Sequence, residues 1–314
     1  MTAQAALTGG ASRRAGLFSV SIDLDGVGCY AAIHGLGLGA LSVEAQRAVP
    51  ITAVDRFCEL LARHGLRGTL FAIGRELDLP GAEEPLRRAA GAGHEVASHS
   101  FGHDYALSRR SQVEIEADLL RAESAITAAT GQRPRGFRAP GYTLSPALLA
   151  ALRARGYCYD SSLLPSAPYY LAKAVAIGLR ALRGRRSESI LGGVGQLFGS
   201  RGAHLRAGVR ELPISTLPLL RGPVIGTVVA GLPEALSARF ASWAFASGHF
   251  NLELHGIDLL DQSDGVPPAL AAVQPGLRVP AKDKLRRISA LLAALRASAE
   301  GCTLEDAAKR LLPG

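Results

Sequence analysis

In the segment HSFGH, His99 and His103 stand four residues apart, a spacing that lets both imidazoles reach one cation from a helical turn or a tight loop. Either histidine alone reads as an ordinary hydrogen-bonded residue; the pair is what raises a metal site. Asp25, in SIDLDG, adds a carboxylate. Two imidazoles and one carboxylate leave coordination positions open for water and substrate. Such a set suits a catalytic Zn²⁺, with Co, Mn, Ni or Fe as other choices. A divalent ion held this way acidifies a water and polarises a carbonyl, so the expected chemistry is hydrolysis. Further polar groups end apolar runs: Asp23 two residues before Asp25, Arg138 in GFRAPGY, Asp160 in YDSS and His255 in LELH.

Residues so scattered need a scaffold that gathers the ends of separate runs. LFSVSIDLD, GTLFAIG, HEVASHS, PRGFRAP, YCYDSS, VRELPIS and HFNLELHGIDLL read as short buried strands. VPITAVDRFCELLARHG, EEPLRRAAGAG, RSQVEIEADLLRAESAITAATG and SPALLAALRARG read as the helices between them, and KDKLRRISALLAALRA and TLEDAAKRLL as the last two. Gly65 is placed to stop the first helix, Ser111 to cap the third three residues before Glu114, and Pro146 to open the fourth. Alternating strands and helices imply a parallel sheet with helices packed outside it. Six or more units in about 250 residues suggest a closed or nearly closed α/β barrel, whose catalytic groups lie at the C-terminal strand ends. The Gly-rich run at 26–39 reads as a loop and lacks the Lys-Ser/Thr of a phosphate loop.

The order SIDLDG, GHEVASHSFGH, GFRAPGY, YDSS and LELH resembles the polysaccharide deacetylase superfamily of the NodB-homology, carbohydrate esterase 4 type. The resemblance covers residues 17–165 and returns at 250–262. It implies a distorted (β/α)7-type barrel as one catalytic domain over 17–314, after an N-terminal tail at 1–16. It also implies roles. Asp23 resembles the general base that takes a proton from the attacking water. Asp25, His99 and His103 resemble the metal triad, and Arg138 the arginine that orients the base. The backbone N–H of Gly141 or Tyr142 resembles the oxyanion donor, and His255 the general acid that protonates the leaving amine.

The chain departs from the family pattern in three places. Leu24 separates two aspartates that are usually adjacent. Gly141 is an extra residue before Tyr142. The tryptophan of the fourth motif is absent, which removes a wall of the glycan groove. Asp160 either supports His255 from behind or caps a strand. His94 reads as structural, Trp243 as core, and Asp258 and Asp261 either as outer support of His255 or as loop residues.

Composition bounds the rest. The chain has 314 residues, 48% of them hydrophobic and 20% charged, which is globular. Cys29, Cys58, Cys158 and Cys302 form no CxxC pair and read as separate thiols of a reducing compartment. With no signal-like or membrane-spanning run, the expectation is a cytoplasmic protein, in contact with a membrane surface at most. The net charge of +8 is concentrated: residues 171–210 hold Lys173, Arg180, Arg183, Arg185, Arg186, Arg201, Arg206 and Arg210 against the single acid Glu188. The helical, basic insertion at about 165–210 is therefore a lid whose arginines grip a phosphate, a contact with an anionic membrane, or plain surface. The leading function is removal of an N-acyl group, N-acetyl first, from an amino sugar or glycoconjugate, phosphate- or lipid-linked in one version. Hydrolysis of a small amide or cyclic imide is the alternative, and a non-catalytic binding module a remote one. Without aromatic interleaving in the basic stretch, no nucleic-acid partner is expected.

Overall fold

The computed structural model describes residues 16–313 except 38, 40, 183, 185, 186 and 245–247. Most of the expected N-terminal tail, and Arg183, Arg185 and Arg186 of the basic insertion, lie outside the described residues. Strands β1 (Leu17–Asp23), β2 (Thr69–Ala72), β3 (Glu95–Ser98), β4 (Gly136–Phe137), β5 (Tyr159–Asp160), β6 (His204–Arg206), β7 (Val209–Glu211), β8 (His249–His255) and β9 (Glu300–Gly301) form one sheet. Its order is β6-β7-β5-β4-β3-β2-β1-β8, with β9 paired to the start of β1. Among these strands β6 and β7 pair antiparallel and the other pairs are parallel. The seven parallel strands from β7 round to β8 curve into a half-barrel, as the alternating pattern implies. On the open side, between β7 and β8, the segment that follows β7 makes single bonds to both neighbours: Ile214 N–H to Leu163 O at 2.8 Å and Ser215 N–H to Asn251 O at 3.1 Å.

Two-residue alternation in the strands explains both core and site. In β1, Phe18, Val20 and Ile22 face the helix layer, where β8 sends Phe250, Leu252 and Leu254. Each such side chain contributes roughly 1.5–3 kcal/mol of burial. The other face of each strand turns inward, and there the residues are Ser19, Ser21 and Asp23 against Asn251, Glu253 and His255. Asp23 lies directly opposite His255 in register. The barrel interior is therefore polar, and its polar rows end at the rim.

The helices follow the expected signals. Ser111 and Glu114 form a capping box at the start of Gln112–Thr130, Pro146 opens Pro146–Ala154, and Gly65 takes a left-handed φ of 58° after Val54–Arg63. The glycine-rich run expected as a loop begins instead with the helix Val27–Ile33. Its glycines at 26 and 28 flank a short apolar sequence, and Val27, Cys29, Tyr30 and Ala31 pack inward. Trp243, expected in the core, is 44% exposed, with the Arg239 guanidinium 5.7 Å from its ring centroid one helical turn away. No helix among the described residues is long and apolar enough to cross a membrane.

The insertion begins with the helix Ala167–Leu182. Tyr169, Ala172, Lys173, Ala176, Ile177 and Arg180 recur at helical spacing and line the cavity over the strand ends. This helix is therefore a lid. Its opposite face carries Leu171, Val175, Leu179 and Leu182, all exposed.

Candidate active site

Asp23 and His255 end strands, and Asp25, His99 and Arg138 follow strand ends closely. His99 succeeds β3, and its N–H continues the ladder to Ala72 O at 2.8 Å. The turn that brings His103 back requires left-handed backbone at two non-glycine residues, Ser100 (φ 67°) and His103 (φ 53°). Such conformations persist only when neighbours over-determine them. Here Asp118, on the next helix, accepts the Phe101 and Gly102 N–H groups at 2.9 and 3.1 Å, and Ser100 Oγ accepts the His103 N–H at 3.0 Å.

The turn sets both histidines against Asp25. His99 Nε2 and His103 Nε2 each lie 3.2 Å from Asp25 Oδ1. All three residues are buried, and their donor atoms fall within 4.8 Å of one another. His99 Nδ1–H donates to Arg138 O at 2.7 Å, which turns Nε2 toward the cavity. Asp25 Oδ1 and His103 Nε2 are buried without a hydrogen-bond partner. Buried polar atoms left facing one another are costly, and a shared cation satisfies all of them at once. The donor set thus fits a divalent metal. Burial opposes charge on Asp25, but the two histidines hold its carboxyl well below the usual range. Burial also opposes charge on His103, yet Asp25 and the neighbouring Cys29 raise it to about 9.

Asp23 stands beside this triad, with Oδ2 3.9 Å from His99 Nε2. Arg138 Nη1 donates to Asp23 Oδ1 at 2.6 Å, and the pair is fully buried. The rest of the guanidinium is occupied. Nε donates to Ser161 O at 2.9 Å, and Nη2 to Ser161 Oγ at 2.9 Å and Ser21 Oγ at 3.1 Å, over the Phe71 ring. Burial raises the Asp23 pKa while Arg138 and His99 pull it down; the net direction is upward.

His255 faces the same cavity from the far side, with Nε2 4.0 Å from Asp25 Oδ2. Its partner is Glu253, two residues earlier on the same strand face: His255 Nδ1 is 2.9 Å from Glu253 Oε1. Tyr142 Oη donates to that oxygen at 2.9 Å. Burial disfavours the imidazolium, but Glu253 outweighs it and raises His255 well above the ordinary histidine value. Glu253 was missed in the sequence. The signal was its i, i+2 spacing from His255 in LELH, which puts both on the inner face. Asp23, Glu253 and His255 also come within 4.8 Å of one another, but Arg138 and the His255–Glu253 hydrogen bond already engage them.

Two expectations change. Asp160 does not support His255. It accepts from Ser162 Oγ at 2.6 Å, sits beside Glu211, and reaches the Arg138 loop only through Ser162, whose Oγ accepts the Ala139 N–H at 2.7 Å. It ends β5, two strands beyond the His99 strand, whereas β8 adjoins β1 on the other side. Tyr142 does not offer a backbone donor, because its N–H is committed to Ala139 O at 2.9 Å. The extra residue makes this turn, with Gly141 at φ 61° and Tyr142 at φ 64°. Gly141 borders the cavity, and a Cβ there would stand 2.8 Å from the Tyr105 ring. Its N–H is the remaining backbone donor of the turn.

Around His255 the support is local. Asp258 accepts the His255 N–H at 2.9 Å, while Asp261 caps Ala281. Buried Lys284 donates to the carbonyls of Ile257, at 3.2 Å, and Leu260, clamping the turn beyond His255. His94 accepts the Gly68 N–H at 3.1 Å and is structural, as read. The cavity lined by Asp23, Asp25, His99, Gly141, His255 and the lid helix has a volume of about 330 Å³.

Comparison with known proteins bears on the same segments. The polysaccharide deacetylase family model matches residues 48–159. A peptidoglycan deacetylase of Helicobacter pylori is 26% identical over 157 residues, covering 49% of this chain and 53% of its own. A chitooligosaccharide deacetylase of Bradyrhizobium is 36% identical over 109 residues, covering 31% and 48%. The chain thus spans about half the length of these relatives. A crystal structure assigned to the polysaccharide deacetylases, from Mycobacterium smegmatis, is 18% identical and superposes with a TM-score of 0.60 over 96% of this chain and 91% of its own. That likeness concerns the fold. Over residues 48–159 the chain is similar to the polysaccharide deacetylase family, and its half-barrel has the fold of that solved structure.

Proposed function

We propose that the chain is a metal-dependent hydrolase that removes an N-acyl group, N-acetyl in the first instance, from an amino sugar or glycoconjugate. One observation carries the reading. Three buried ligand atoms, two of them unsatisfied, cluster at Asp25, His99 and His103, and Asp25 and His99 line a cavity together with an arginine-held aspartate and a glutamate-held histidine.

Asp25, His99 and His103 would hold the ion. Bound there, a divalent cation supplies Lewis acidity to the amide carbonyl and to a water; zinc suits the donors best, and Co, Mn, Ni or Fe are compatible. The chain's own residues do the rest. Asp23, held by Arg138, accepts the proton of the attacking water. The Gly141 N–H meets the oxygen that gains charge as the carbonyl becomes tetrahedral. His255, kept protonated by Glu253, gives its proton to the departing nitrogen, so a carboxylic acid and a free amine leave.

The names of the relatives support an N-acetylated sugar as substrate class. The cavity's size, about 330 Å³ beneath the lid helix, supports a short one. The same compactness keeps a second reading, a small amide or cyclic imide. A screen of N-acetylglucosamine, its oligomers, muropeptides and cyclic imides, with zinc supplied and free amine and acetate measured, separates them. Acetate from a sugar supports the first reading. Imide opening without any acetate replaces it with the second.

A further inference from the structure

The lid helix turns two cations inward among apolar residues and leaves aliphatic side chains in solvent. Its exposed face carries Leu171, Val175, Leu179 and Leu182, and its cavity face carries Lys173 and Arg180. Seven residues apart, the two cations sit two turns along one stripe, about 10 Å between their backbones. Both are partly buried, and neither lies within ion-pair distance of a carboxylate among the described residues. Lys173 Nζ reaches Gly141 O at 3.4 Å, beside the catalytic turn. Arg180 is held in place: Nη2 donates to His34 Nδ1 at 3.1 Å, and His34 Nε2 meets Gln274 Oε1 at 3.0 Å.

Burying cations without a counter-charge is unfavourable, so an inward pair of this kind calls for an anion that arrives with the ligand. We infer that Lys173 and Arg180 form an anion subsite and that the N-acyl sugar carries a phosphate group, as a monoester or diphosphate, beyond the ring. Two cations match a dianion. The planar guanidinium offers paired donors to phosphate oxygens, and the ammonium acts as a point charge with further donors to spare. Burial lowers Lys173 to about 8, and an incoming anion would draw it back to full charge. The inference rests on the proposed N-acyl sugar hydrolase reading. The phosphate could belong to a soluble sugar phosphate or to a lipid-linked sugar.

The test compares kcat/KM for N-acetylglucosamine, its 1-phosphate and its dodecyl diphosphate ester in micelles, with wild type, Lys173→Gln and Arg180→Gln. Wild type should prefer a phosphorylated form at least ten-fold, mainly through KM, and each substitution should collapse that ratio toward one. Lys173→Arg should restore it in part. Equal use of the two phosphorylated forms identifies a soluble substrate, and preference for the dodecyl ester a lipid-linked one; either supports the subsite. A wild-type ratio near one, or a preference that survives both substitutions, overturns it. Should no sugar release acetate, the hydrolase reading fails on its own account. Calorimetric binding of pyrophosphate still decides the subsite: binding weakened ten-fold or more in both variants supports it, and unchanged or absent binding overturns it.

Discussion

Arg138→Met should destabilise the fold far more than the loss of one surface charge would. The guanidinium is fully buried and makes hydrogen bonds to Asp23, Ser161 and Ser21. Removing it leaves the Asp23 carboxylate buried without its counter-charge, which costs about 3–5 kcal/mol. That is a third or more of the ~5–15 kcal/mol that holds a typical domain together. Asp23→Asn strands the arginine in turn. If the charges are coupled as the 2.6 Å contact implies, the double variant should cost little more than the worse single one, giving an interaction energy close to the milder single cost, about 3 kcal/mol. Urea denaturation followed by circular dichroism, with chelator present so that metal binding does not enter, measures all four species. Additivity within about 0.5 kcal/mol would refute the claim that Asp23 is held as an ionised, paired carboxylate.

Other outcomes follow from the same geometry. Glu253→Gln should lower kcat by about 10²–10⁴-fold while leaving KM within a few-fold, because it removes the group that keeps His255 protonated; steady-state kinetics on an N-acetyl sugar checks this. Gly141→Ala should cost about 1–3 kcal/mol in thermal unfolding and depress kcat, since φ is +61° and the new methyl meets the Tyr105 ring. Glu211 and Asp160 are buried side by side, and burial raises both, Glu211 furthest. A raised carboxyl contributes stability below its unfolded value that is lost as pH rises through the folded one. Urea midpoints should therefore fall from about pH 5 upward, and Glu211→Gln should flatten that slope.

Much of the site was legible because its residues sit at the ends of strands whose apolar face is obvious. Phe18, Val20 and Ile22 mark β1 as buried, and the chemistry then falls on Asp23 and Asp25. His99 and His103 show themselves through spacing alone. What escaped the sequence depends on tertiary contact. Asp160 and Glu253 are both acids in strands, and only the strand order shows that β8 adjoins β1 while β5 does not. Tyr142 looked like a backbone donor, but the turn uses its N–H internally and its hydroxyl to hold Glu253. Residues 26–39 carry the glycines of a loop, yet their start folds as a helix because Cys29, Tyr30 and Ala31 pack inward. The basic stretch could be read as lid or surface because charge does not fix which helix face turns inward. Lys173 and Arg180 face the cavity, and Val175 and Leu179 between them do not.

The central claim is that Asp25, His99 and His103 hold a metal on which acyl release depends. Metal content and acetate release, measured on one preparation of wild type beside His103→Ala, test it most directly. One divalent ion per wild-type chain is expected, with acetate release that chelation abolishes and zinc restores, and neither in the variant. Undiminished release from metal-free wild type, or full metal occupancy in His103→Ala, would contradict it.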